Sequence, residues 1–198
     1  VKIRGIRGYL LAVAAVLSAG CATVPPDNVE NICDIFRERP SWYETAQDTS
    51  ARWRVPIPVM MAIIHQESRF DGTAYPPRTT VLGFIPGPRP STAYGYAQAL
   101  SETWEIYVRE TGNEGADRDD FEAAIDFIGW FCHRSYLRCR IPKTDAYRLY
   151  LAHHEGQDGY NRRSYERKPW LMAVARKVKR REMIYARQLN RCRNELEK

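Results

Sequence analysis

Apolar residues recur along most of this chain at the three- and four-residue spacing of an α-helix, and no alternating strand pattern persists. A capping box at Asp27 and Glu30 predicts a helix to about Asp48, with Trp42, Tyr43 and Ala46 on one face. Pro58 suits a first helical position, and Val59 to Glu67 follows as a nearly all-apolar helix. Such a helix is buried, so the carboxyl group at its end borders the core. From Asp71 to Gln98 the pattern dissolves. Pro76, Pro77, Pro86, Pro88 and Pro90, with Gly72, Gly83 and Gly87, exclude a regular helix there. The apolar and aromatic content of this stretch predicts an ordered loop, with 81–85 as a short hairpin arm. Helices resume from Ser101 to near Gly112, from Asp117 to about Ser135, and from Thr144 to His154, closed by Gly156. Pro169 opens a last, long helix. The expected fold is all-α, with one long ordered loop.

The first residues change the picture of where this fold lives. Lys2, Arg4 and Arg7 precede an apolar run from Tyr9 to Leu17, and small residues follow up to Cys21. That is the pattern of an export signal over 1–20, not of a folded element. Ser18-Ala19-Gly20-Cys21 resembles a bacterial lipobox, with Cys21 as the lipidated residue and 21–28 as a tether. The domain is then 29–198. The expected location is the bacterial envelope, lipid-anchored, with the outer membrane facing the periplasm as the favoured site. Four further cysteines in an exported chain suggest disulfides. Of three connectivities, the favoured one joins Cys33 to Cys192 and Cys132 to Cys139. The second pair requires the helix to end near Ser135; otherwise both are free thiols.

The net charge of +6 is concentrated after Arg162, in Arg176, Lys177, Lys179, Arg180, Arg181, Arg187, Arg191 and Arg193. Nucleic acid is the familiar partner of such a run. In an exported chain it is not expected, and a solvated helix face or anionic headgroups fit better. His153, His154 and Glu155 are adjacent, so their side chains diverge around a helix and cannot share one metal ion. Neither a metal nor a cofactor is expected.

The chemistry concentrates in Ile63-Ile64-His65-Gln66-Glu67-Ser68. A carboxyl group at the negative end of a helix, against apolar neighbours, is disfavoured as an anion, so its pKa should rise. Ser68 can hydrogen-bond that carboxyl or an incoming polar group. Gly95-Tyr96-Ala97-Gln98 and Ala152-His153-His154-Glu155-Gly156 follow in order. Glu-Ser, then Gly-x-x-Gln, then Ala-x-x-x-Gly resembles the soluble lytic transglycosylase family over roughly 41–160. The resemblance implies a lysozyme-like helical fold and cleavage of the β-1,4 bond between N-acetylmuramic acid and N-acetylglucosamine in peptidoglycan, leaving 1,6-anhydro ends. It implies Glu67 as the catalytic acid and base. Ser68, Gly95, Tyr96, Gln98, His153 and Glu155 are then the substrate-binding residues. Two substitutions depart from the family pattern. His153 stands where relatives carry Tyr, and Glu155 replaces a small residue and is a candidate second carboxylate. Tyr75, Tyr94, Tyr96 and Tyr160 are candidate sugar platforms, whereas Tyr150 is expected to fill the core. The alternatives are a lysozyme-type hydrolase on the same fold and a non-catalytic muropeptide-binding lipoprotein. Oligomeric state carries no signal.

Overall fold

The computed structural model describes residues 24–81 and 85–197. The expected export signal over 1–20, Cys21 and the tip of the hairpin arm lie outside these residues. The chain is mostly helical, as its periodicity predicts. Asn31 caps the first helix, α1 (Ile32–Glu38), by accepting from the Cys33 N–H at 3.0 Å. The expected box at Asp27 and Glu30 does not form, because Glu30 is drawn instead into pairs with Arg69 and Arg181. The single helix expected to Asp48 is two. Pro40 has no N–H to continue α1, so the chain breaks at Arg39 and restarts as α2 (Pro40–Trp53).

Helix α3 (Ile57–Ser68) opens with Pro58 in its first turn, and its residues from Ile57 to Ile64 are buried apart from Pro58. Each Ile, Val or Met removed from water there contributes roughly 1.5–3 kcal/mol, which fixes α3 as the central element. It packs against α7 (Pro169–Leu196), α5 (Phe121–Cys139) and α6 (Ala146–Asn161). Between α3 and α4 (Ser101–Thr111) runs the long loop. It holds an antiparallel pair, β1 (Thr80–Val81) with β2 (Ile85–Pro86), in the register Thr80 opposite Pro86. Its base is tied by the Thr79 hydroxyl to the Pro88 carbonyl at 2.8 Å and by Arg89 to the Pro76 carbonyl at 2.7 Å. Beneath it, Trp42 stacks on Phe121 with ring centres 3.8 Å apart, and Tyr96 meets both edge-on.

Asp120 caps α5, accepting from the Ala123 N–H at 3.2 Å. The helix runs past Ser135 to Cys139, so Cys132 and Cys139 sit on one continuous helix and are free thiols. That corrects the expected second disulfide: about two turns of helix hold the thiols apart. The other pairing stands. Cys33 is bonded to Cys192, joining α1 to α7 across 159 residues. Helix α6 does not stop at Gly156 but kinks there, at φ 69° and ψ 160°, and continues to Asn161.

Candidate active site

The end of α3 is built from its last turn. Arg69 and Phe70 both adopt left-handed backbone, at φ 52° and 65°, and stop the helix immediately after Ser68. For side-chain-bearing residues this costs roughly 1–2 kcal/mol each. Phe70 is fully buried beside Trp42 and His65, and that burial offsets its strain. Ser68 fastens the turn. Its hydroxyl accepts from the Phe70 N–H at 3.1 Å and donates to the Ile64 carbonyl at 3.4 Å. The hydroxyl that sequence assigned to substrate is thus committed to the helix end.

Glu67 shares its helix face with Met60, Ile63 and Ile64 and points at α6. Its side chain keeps 15% exposure, and its Oε1 lies 3.8 Å from His153 Nε2. The Tyr150 hydroxyl is hydrogen-bonded to the same carboxyl. Tyr150 and His153 are one turn apart on α6, so both reach the acid from one face. Burial pushes Glu67 up to about 7, and the Tyr150 hydrogen bond opposes part of that rise. Burial holds His153 down, to about 4, despite its hydrogen bond to the Ala97 carbonyl. Phe131, its ring centre 5.3 Å from that of His153, is part of the packing responsible. His153 is therefore neutral near pH 7 and supplies no cation to ionise Glu67. The pair behaves as a buried acid beside a neutral imidazole, not as an ion pair.

The Gly95–Gln98 segment meets this site through its backbone. Gly95 has φ +75°, and a Cβ there would lie 2.0 Å from the Arg118 carbonyl oxygen. Its glycine requirement comes from packing on the 118 segment, not from an approach to substrate. Tyr96 is 1% exposed within the aromatic core, which corrects its expected place at the sugar. Gln98 spends both amide hydrogens on the carbonyls of Ala74 and Gly95, each at 2.9 Å, leaving only its acceptor oxygen. Ala97, given no role of its own in the sequence, provides the carbonyl that holds His153.

Glu155 is not a second catalytic carboxylate. Lys168 Nζ lies 2.6 Å away, the Ser164 hydroxyl donates to it, and His154 Nδ1 is 3.0 Å away. Burial alone would raise its pKa, but these partners outweigh it and hold Glu155 at about 2. The carboxylate locks the kinked end of α6 to the start of α7. Tyr150 is buried in the core at 5% exposure, as expected, and its hydroxyl takes on the Glu67 carboxyl as a further role. The signal available in the sequence was its spacing one turn before His153. Tyr75 and Tyr94 stack at 4.4 Å in the long loop, under Arg89, while Tyr160 stacks on Tyr165. A cavity of about 750 Å³ opens beside Tyr94 and Trp104, away from Glu67. Among the described residues no group of three or more His, Cys, Asp or Glu could hold a metal ion.

This arrangement agrees with the comparison of the chain with protein families. The family model described as Transglycosylase SLT domain matches residues 9–192. The chain belongs to that transglycosylase family. Membership points to a transglycosylase-type enzyme acting on peptidoglycan. No curated protein and no solved structure matches the chain. Within the SLT domain, the Glu at the end of α3 joins a pKa in the neutral range to a hydrogen bond from Tyr150 and an imidazole, His153, 3.8 Å away.

Proposed function

We propose that this protein is a lytic transglycosylase that cleaves the β-1,4 bond between N-acetylmuramic acid and N-acetylglucosamine, with Glu67 as its one acid and base. The observation that carries the reading is the Glu67 carboxyl, shifted by burial to about 7 and still reachable from solvent. A proton on Glu67 passes to the bridging oxygen as the bond from the muramyl C1 to that oxygen breaks. Positive charge develops at C1. The Glu67 carboxylate then takes the proton of the muramyl C6 hydroxyl, whose oxygen bonds to C1. The product is the 1,6-anhydro sugar, the acid is regenerated, and no water is consumed. An acid with pKa near 7 serves both steps, because its two forms are comparably populated at neutral pH. The Tyr150 hydroxyl stabilises the carboxylate form, and neutral His153 adds no charge that would keep the proton off.

The hydrolase alternative loses its named support, since Glu155 is tied to Lys168 and Ser164. The test is digestion of purified sacculi by wild type and Glu67→Gln, with the fragments identified by mass. Anhydro-muropeptides from wild type alone are expected. Reducing ends would favour hydrolysis, and binding without release of fragments would favour a muropeptide-binding protein.

A further inference from the structure

On α3, Ala62, His65 and Gln66 form one stripe, at the spacing of a single helix face, and Arg69 follows it just past the helix end. Glu67 lies about 100° round the helix from Gln66 and about 160° from His65. That stripe faces α7 across a cavity of about 500 Å³, whose α7 wall carries Lys177, Arg180 and Arg181. Three guanidinium groups and an ammonium therefore converge on the side of α3 turned away from the candidate catalytic acid. Glu30 is the carboxylate that meets them, and it is engaged by both Arg69 and Arg181. Lys177 and Arg180 are exposed and have no ion pair among the described residues. His65, held below its ordinary pKa by burial and by Arg181, adds no charge near pH 7. The pocket thus carries surplus positive charge and donors in a fork suited to phosphate oxygens.

The chain enters the fold at this same place. Arg181 Nη1 donates to the Glu30 carbonyl at 3.2 Å, and the Tyr185 hydroxyl donates to the Val29 carbonyl. Between Cys21 and Glu30 an extended chain reaches at most about 30 Å. With Cys21 lipidated, as the sequence predicts, the pocket is held within that distance of a bilayer surface.

We propose that the pocket between α3 and α7 is a docking site for the phosphate of an anionic phospholipid headgroup. Docking there sets this face on the membrane and turns the Glu67 side toward the cell wall. The inference goes beyond the cleavage reading and does not depend on it.

The test is sedimentation of the full chain with vesicles of phosphatidylcholine alone, and with about 30 mol % phosphatidylglycerol, near 0.15 M salt. The N-terminal segment is the same in every variant, so the anionic increment reports the folded surface. Wild type is expected to prefer anionic vesicles. Lys177→Gln/Arg180→Gln should weaken that binding about 30-fold, near five-fold for each charge. Arg109→Gln/Arg162→Gln, outside the pocket, should leave most of it. Both side chains of the first variant are unpaired, so its thermal unfolding and sacculus cleavage should match wild type. An anionic preference unchanged in that variant, or absent in wild type, would overturn the proposal. So would full displacement from the vesicles by millimolar inorganic phosphate, which marks a free-anion site. Loss of sacculus binding with vesicle binding retained would assign the pocket to the wall polymer instead.

Discussion

Replacing Glu67 with Gln should abolish cleavage and at the same time stabilise the protein, and the two effects have one cause. In the unfolded chain a glutamate titrates near 4.5; in the fold, burial raises Glu67 to about 7. Between those values the folded state holds a proton that the unfolded state releases. Stability therefore falls as pH rises through that window, and it levels off above the folded pKa. The full cost, at about 1.4 kcal/mol per pKa unit, is about 3 kcal/mol. Gln keeps an acceptor for the Tyr150 hydroxyl and has no charge to lose. The Glu67→Gln protein should match wild type below pH 4.5 and exceed it by about 3 kcal/mol above pH 8, or roughly 6–12 °C in Tm for a domain of this size. Urea unfolding of both proteins from pH 4 to 9 measures the gap directly. A gap that is absent at pH 8.5, or constant with pH, would mean that the acid is not held neutral by burial, and the catalytic assignment would lose its physical basis.

Tyr150→Phe removes the hydrogen bond that favours the Glu67 carboxylate, so the alkaline limb of the pH–rate profile, expected near pH 7, should move upward by about half a unit or more. An unmoved limb would show that the hydroxyl does not act on the acid. Gly95→Ala places a Cβ against the Arg118 carbonyl at a left-handed backbone position, and should cost at least about 2 kcal/mol in chemical unfolding while displacing the Ala97 carbonyl from His153. Wild-type stability would mean that the 118 segment yields freely. Cys33→Ser/Cys192→Ser opens a loop of 159 residues and should lower stability by about 3–5 kcal/mol. Reduction of the wild type should reproduce that loss, while thiol-blocking reagents at Cys139 leave it intact.

How far the chain could be read in advance differs from element to element. The end of α3 was legible because an apolar run stopped by Glu-Ser carries both burial and a terminus in its pattern. The break at Arg39 was also in reach, since Pro40 removes the N–H a longer helix needs, but the candidate cap at Asp27 concealed it. Glu30 was misplaced because its charge partners, Arg69 and Arg181, are distant in sequence. Tyr96 and Glu155 were misplaced because residue type and motif position leave two environments open. An aromatic beside a motif glycine can face sugar or core, and a helix-end carboxylate can catalyse or pair with a lysine. Local spacing does not distinguish these cases.

By itself the sequence determined the helical class, the order of the three motifs, the acid at position 67 and the cysteines at the two ends of the domain. These follow from periodicity, turn chemistry and residue type, all of which act over a few residues. Only the tertiary structure decided which neighbours the acid meets. Packing α6 against α3 brings Tyr150 and His153 to Glu67, withdraws water from all three, and sends Glu155 to Lys168. A pKa depends on what surrounds a group within a few ångströms, and in this fold those surroundings come from residues far apart in the chain.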